Sequence, residues 1–182
     1  MILLNKKGVK LVSRQSFILY TAIFLIALAG FVSCGVYTFK DASIPDNVKT
    51  IKIGFFDNRA GIVNPQLSPK LTDAFKNKVS SYLRKASLVT SESADYIISG
   101  SVTQYQVSTS GISAQQASSN RLTVGVHLVL NNTLKNEIKE YDISLPFDFA
   151  ASLTLSQAEN QLLDTIIKNL SDEMFNRIFS SW

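Results

Sequence analysis

The sequence predicts an α+β fold in which two helices pack on one face of a mostly antiparallel four-stranded sheet, after an N-terminal lipoprotein signal peptide. Three observations predict it. A basic and then apolar opening runs up to the single cysteine, Cys34. Later stretches alternate apolar and polar residues with a period of two, as half-buried strands do. Two others repeat apolar residues at three- and four-residue steps behind helix-start signals.

Residues 1–33 carry Lys6, Lys7, Lys10 and Arg14, no acidic residue, and a nearly unbroken apolar run from Phe17 to Val32. That order is the charged and apolar part of a secretory signal. A retained transmembrane helix is the alternative, but the run is shorter than the roughly 20 apolar residues a span requires. Of the 18 Lys and Arg in the chain those four are in the leader, which leaves as many basic as acidic residues from Cys34 onward, since Asp and Glu number 14. The net charge of +4 therefore belongs to the leader, and a nucleic-acid-binding reading loses its basis because the folded part has no surplus of cations.

A lone cysteine forms no intramolecular disulfide, although an exported protein meets an oxidising compartment. Phe31-Val32-Ser33-Cys34 resembles a lipobox, with Phe31 where an aliphatic residue is usual. That makes Cys34 the expected lipidation site, acyl chains tethering the domain to a membrane through about 0.8 kcal/mol per buried methylene. Gly35 follows the cysteine instead of Asp, which by analogy with lipoprotein sorting favours the outer membrane. The expected organisation is a signal peptide over 1–33, a lipidated tether over 34–47 and one α+β domain over 48–182.

Within that domain, Ile51, Ile53 and Phe55 alternate with Lys52 and Gly54 as a first strand, ended by the loop 57–61. Ser68-Pro69 reads as a helix start, and Leu71, Ala74, Phe75, Val79, Tyr82 and Leu83 form the apolar face behind it. A short connection through Leu88 and Val89 leads to a strand over 94–107, where Gly100 suggests a bulge. The neutral stretch 108–120, rich in Ser and Gln, reads as a long loop, either functional or solvated. Leu122, Val124, Val126, Leu128 and Leu130 give the cleanest alternation, and Asn131-Asn132 begins a turn. Tyr141, Ile143, Leu145, Phe147 and Phe149 line one side of the next strand, which Pro146 marks as an edge. Ser156 and Glu159 have capping-box spacing, and the stripe from Ala158 to Phe179 completes a long final helix.

Several phrases in this order resemble one family: Cys-Gly-Val-Tyr-Thr-Phe at 34–39, Ser43-Ile44-Pro45, Asn120-Arg121-Leu122-Thr123-Val124, and the ending from Phe175 to Trp182. They resemble LptE, the lipopolysaccharide-assembly lipoprotein, as a diverged branch and over essentially the whole mature chain. The resemblance implies a domain seated in the lumen of the β-barrel translocon LptD, helping it to assemble and to deliver lipopolysaccharide to the outer leaflet. It implies an outer-membrane protein facing the periplasm or the barrel lumen, acting by binding. The alternative is a lipid-anchored structural subunit of another envelope complex.

The candidate contacts with a partner or ligand are Lys70, Lys76, Lys78, Arg84 and Lys85 on and after the first helix, together with Arg121 and Trp182. A basic cluster can meet phosphates of lipopolysaccharide or of a bilayer, or it can be a solvated face that pairs with acidic residues of the last helix. The stretch 108–120 is a candidate contact inside a polar barrel lumen. Phe175, Phe179 and Trp182 are either the end of the core stripe or an aromatic anchor for a partner, with Phe175 expected in the core and Trp182 the better candidate for contact. His127, the single histidine, has no second His or Cys with which to hold zinc, and it reads as structural. No nucleophile elbow, P-loop or dinucleotide fingerprint occurs, so neither an enzymatic activity nor a cofactor is expected.

Overall fold

The computed structural model describes residues 44–62, 64–113 and 116–180, without side-chain surroundings for 112–117. The signal peptide, most of the tether, Cys34 and Trp182 lie outside the described residues. The elements are β1 (Thr50–Asn58), α1 (Leu67–Tyr82), β2 (Ser87–Leu88), β3 (Tyr96–Ser113), β4 (Gln116–Asn132), β5 (Glu137–Ala150) and α2 (Leu155–Phe179). The strands form one five-stranded sheet in the order β2-β1-β3-β4-β5.

The α+β class holds, but the expected four-stranded, mostly antiparallel sheet is a mixed sheet of five. β1 runs parallel to both β2 and β3, while β3, β4 and β5 are antiparallel neighbours. The parallel half follows from connectivity, because a chain returning to the same end of the sheet needs a crossover, which α1 supplies. The additional strand, β2, is only two residues long and falls where the sequence predicts a short connection.

Alternation holds throughout β4, where Leu122, Val124, Val126, Leu128 and Leu130 are all buried. It fails in β1, where the register slips between Ile53 and Phe56. That slip turns Phe55 to solvent and buries Phe56 instead. The bulge expected at Gly100 occurs at Thr103, between the pairs Val102↔Val126 and Gln104↔Gly125. Gly100 answers a different need: a Cβ there would come within 2.5 Å of the His127 carbonyl oxygen, so the backbones of β3 and β4 approach too closely for any side chain. Pro146 lies on β5, an edge strand, as expected. The turn after β4 ends at Asn136 in the left-handed region (φ 50°), which Asn tolerates better than most residues.

Both helix starts are displaced from their expected caps. α1 begins one residue before Ser68, so Pro69 falls within the first turn, where backbone N–H groups have no helical partner. The α2 capping box is formed by Thr154 and Gln157, two residues before Ser156 and Glu159. Leu71, Phe75, Val79 and Leu83 of the α1 region meet the buried α2 stripe and the sheet in one core, which Phe175 and Phe179 join. Tyr82 is exposed, its ring tilted against Phe175 at 5.3 Å. Among the described residues no helix is long and apolar enough to cross a membrane.

Candidate functional site

The longest departure from expectation lies in the neutral stretch 108–120. It is not a loop: β3 runs to Ser113 and β4 starts at Gln116, with paired residues from Ser108↔Arg121 to Ser113↔Gln116. Ser and Gln predominate in the stretch, small or polar side chains that suit strand residues facing solvent. Gln106, Ser108, Thr109 and Ser110 are exposed, and Val107 is 39% exposed, so the helices do not cover this part of the hairpin. Ser110 and Ser119 hydrogen-bond across it at 3.0 Å.

At the hairpin base, the Tyr105 hydroxyl donates to Glu159 Oε1 at 2.6 Å, tying β3 to the first turns of α2. Burial, reinforced by that carboxylate, pushes the phenol well above its ordinary pKa. Sequence reasoning gave Glu159 to helix capping and missed this bond, which joins residues 54 positions apart. On the outer face Arg121 forms a fork with Asp148 across β4 and β5, Nε to Oδ1 at 2.7 Å and Nη2 to Oδ2 at 3.0 Å. The guanidinium holds the Asp148 carboxyl below the usual range.

The basic set does not converge. Lys78 reaches Asp172 at 2.6 Å and lies over the Tyr82 ring at 4.9 Å. Burial opposes ionisation of Asp172, but Lys78 and Lys168 together outweigh it and lower its pKa. Lys70 approaches Asp164 at 4.0 Å. Lys85 pairs with Asp46 at 2.8 Å, and each partner favours the charged form of the other. Lys76 lines a shallow cleft of about 230 Å³ with Lys52, Ile53, Leu88, Val89 and Thr90 at the β1–β2 edge. Among the described residues neither Lys76 nor Arg84 has an ion-pair partner.

His127 stands on the outer face, its Nδ1 2.8 Å from Asp142 and its Nε2 3.9 Å from Glu140, with Ser101 opposite it in register on β3. Among the described residues no group of three His, Cys, Asp or Glu side chains is arranged to hold a metal. What the described surface offers is an uncharged ribbon flanked by an ion pair and, within the basic set, Lys76 and Arg84 without ion-pair partners among the described residues.

Residues 48–178 match the model of the LptE family, described as lipopolysaccharide-assembly. No curated protein matches the chain. Among solved structures, a minor lipoprotein from Acinetobacter baumannii is 15% identical, with 73% of this chain and 94% of that one covered at a TM-score of 0.49. Rare lipoprotein B from Shewanella oneidensis is 13% identical, with coverage of 71% and 92% at a TM-score of 0.40.

Proposed function

The chain belongs to the LptE lipopolysaccharide-assembly family, and from that premise we propose that it is an outer-membrane lipoprotein that binds an LptD-type β-barrel translocon. It helps that barrel to assemble and supports delivery of lipopolysaccharide to the outer leaflet. The family match across the folded domain carries the reading. Cys34 takes the lipid, which holds the domain at the membrane while the domain itself acts by binding.

The β3–β4 hairpin is the partner-facing part. An uncharged ribbon of Ser, Thr and Gln can exchange water for hydrogen bonds with a polar barrel wall without desolvating an ion, the costlier step. The Arg121–Asp148 pair flanks it, and Trp182 supplies an aromatic contact at the chain end. Of the basic residues, Lys76 and Arg84 are the ones left to meet phosphates. Lys70, Lys78 and Lys85 already have carboxylate partners and would have to exchange them.

The test is extraction of the tagged full chain from its own membranes in mild detergent, with mass spectrometry of what accompanies it. A large β-barrel of the lipopolysaccharide translocon type at near-equimolar amount supports the reading. Recovery of the protein alone, or with another envelope complex, overturns it. Mass spectrometry of the mature chain should find acyl chains on Cys34 and none in the Cys34→Ala form; a mature wild-type chain without acyl chains removes the anchor.

A further inference from the structure

We propose that the free edge of β3, residues 106–113, is completed by an extended segment of the partner barrel, which adds a strand to the sheet through main-chain hydrogen bonds. The inference rests on the reading given above and specifies where and how the partner is held.

On one side β3 is paired with β4 as far as Ser113, regular from Gln104 to Thr109 and irregular at Thr103 and between Thr109 and Ile112. On the other, β1 covers it only from Tyr96 to Val102, where Asn58 ends the pairing and the Arg59 N–H closes onto the Val102 carbonyl at 2.8 Å. Past the bulge at Thr103, the edge has no neighbouring strand among the described residues. Successive residues of a strand point their N–H and C=O groups alternately to either side, so this edge carries a row of unpaired donors and acceptors.

The other edges of the sheet show the usual protection against such pairing. β5 carries Pro146 and the charges of Glu137, Lys139, Glu140, Asp142 and Asp148. β2 is two residues long, and beyond it the Phe56 N–H of β1 is capped by the Thr72 hydroxyl at 3.1 Å. Residues 106–113, Gln-Val-Ser-Thr-Ser-Gly-Ile-Ser, have neither proline nor a charged side chain. Native proteins blunt edges with those residues or with bulges; the irregularities here begin after Thr109, so Gln106–Thr109 is regular, unblunted edge and a template for another strand.

The size of the edge selects the occupant. Eight residues of strand extend about 26 Å, and two copies paired along that length would bury mostly backbone, far less than the ~1,200 Å² of a stable interface. The added strand therefore belongs to a partner that also holds the protein elsewhere. A closed barrel has no free edge of its own, so the segment is a loop or terminal arm of the barrel protein, extended and uncharged opposite Gln106–Ser113. Val107 is the half-exposed apolar side chain available to fix its register.

Backbone hydrogen exchange of the full chain, alone and in the co-purified complex, tests this. Alone, about half the amides of 106–113 should exchange fast, those pointing away from β4. In the complex they should slow by at least ~10-fold. A complex that forms while those amides exchange as before overturns the strand addition and leaves the barrel reading intact. Absence of any complex removes both. Protection that appears in the isolated chain with a doubled mass makes the occupant a second copy and overturns the assignment to the barrel. As a second measurement, Ser108→Pro and Thr109→Pro remove adjacent N–H groups, one of which points outward. The outward one should keep the fold by circular dichroism and lose most of the co-purified barrel. Both variants folding and retaining the barrel in full would overturn the inference.

Discussion

Asp95 organises the start of the sheet with one carboxylate. Its Oδ2 accepts from the Lys49 N–H at 2.7 Å, the Thr50 N–H at 2.9 Å and the Thr50 hydroxyl at 2.9 Å, pinning the start of β1 to the start of β3. Those backbone donors lower its pKa. A carboxyl whose folded pKa is depressed contributes its stability above its unfolded value near 3.9, and that contribution is lost as pH falls through the folded value. Asp95→Asn should therefore cost about 1–2 kcal/mol in urea unfolding at pH 7, with the difference from wild type shrinking below pH 4. An unchanged gap at pH 2 to 3 would contradict the assignment. Gly100→Ala forces a Cβ against a backbone oxygen of β4 and should cost about 1–3 kcal/mol, read as a lower midpoint. Neither role was legible in the sequence. Asp95 falls inside the strand expected over 94–107 with nothing to single it out, and Gly100 reads as a bulge, because the strand that each one answers to is a tertiary neighbour.

Elements were legible where a period was long and unbroken. β4 reads directly from five alternating apolar residues, and α2 from its stripe, because each buries one face against a continuous core. Three features escaped. Parallel pairing of β1 with β3 leaves no mark on periodicity. The slip in β1 exchanged Phe55 for Phe56, two equally apolar neighbours. The hairpin residues 106–111 have no buried side chain, so alternation is absent there and only the polar composition remains, which reads as loop. The capping box shows the same limit, since Thr154-x-x-Gln157 and Ser156-x-x-Glu159 are both acceptable starts. Glu159 is taken by Tyr105, and Thr154 caps the helix. Thr154→Ala should then lower stability by ~1 kcal/mol, whereas Ser156→Ala stays within about 0.5 kcal/mol. Equal losses in thermal unfolding would return the cap to the later position.

At the scale of the molecule, the helices and one sheet face supply the core, while the opposite face and the hairpin remain for contacts. The candidate site was legible only in outline. The neutral segment 108–120 was singled out by composition, but as a loop, and its open strand edge became visible only with the extent of β1 known. The basic set was legible as residues and not as pairs, since Asp46, Asp164 and Asp172 reach it from elements distant in the chain. Family membership assigns the whole to lipopolysaccharide assembly, and the distribution of charge fits a protein that works by being held. The most direct measurement of that claim is depletion of the chain from its own cells, followed by quantification of folded translocon barrel and of lipopolysaccharide in the outer leaflet. Both should fall together, and return with the wild-type chain. Unchanged levels of both after complete depletion would contradict the account.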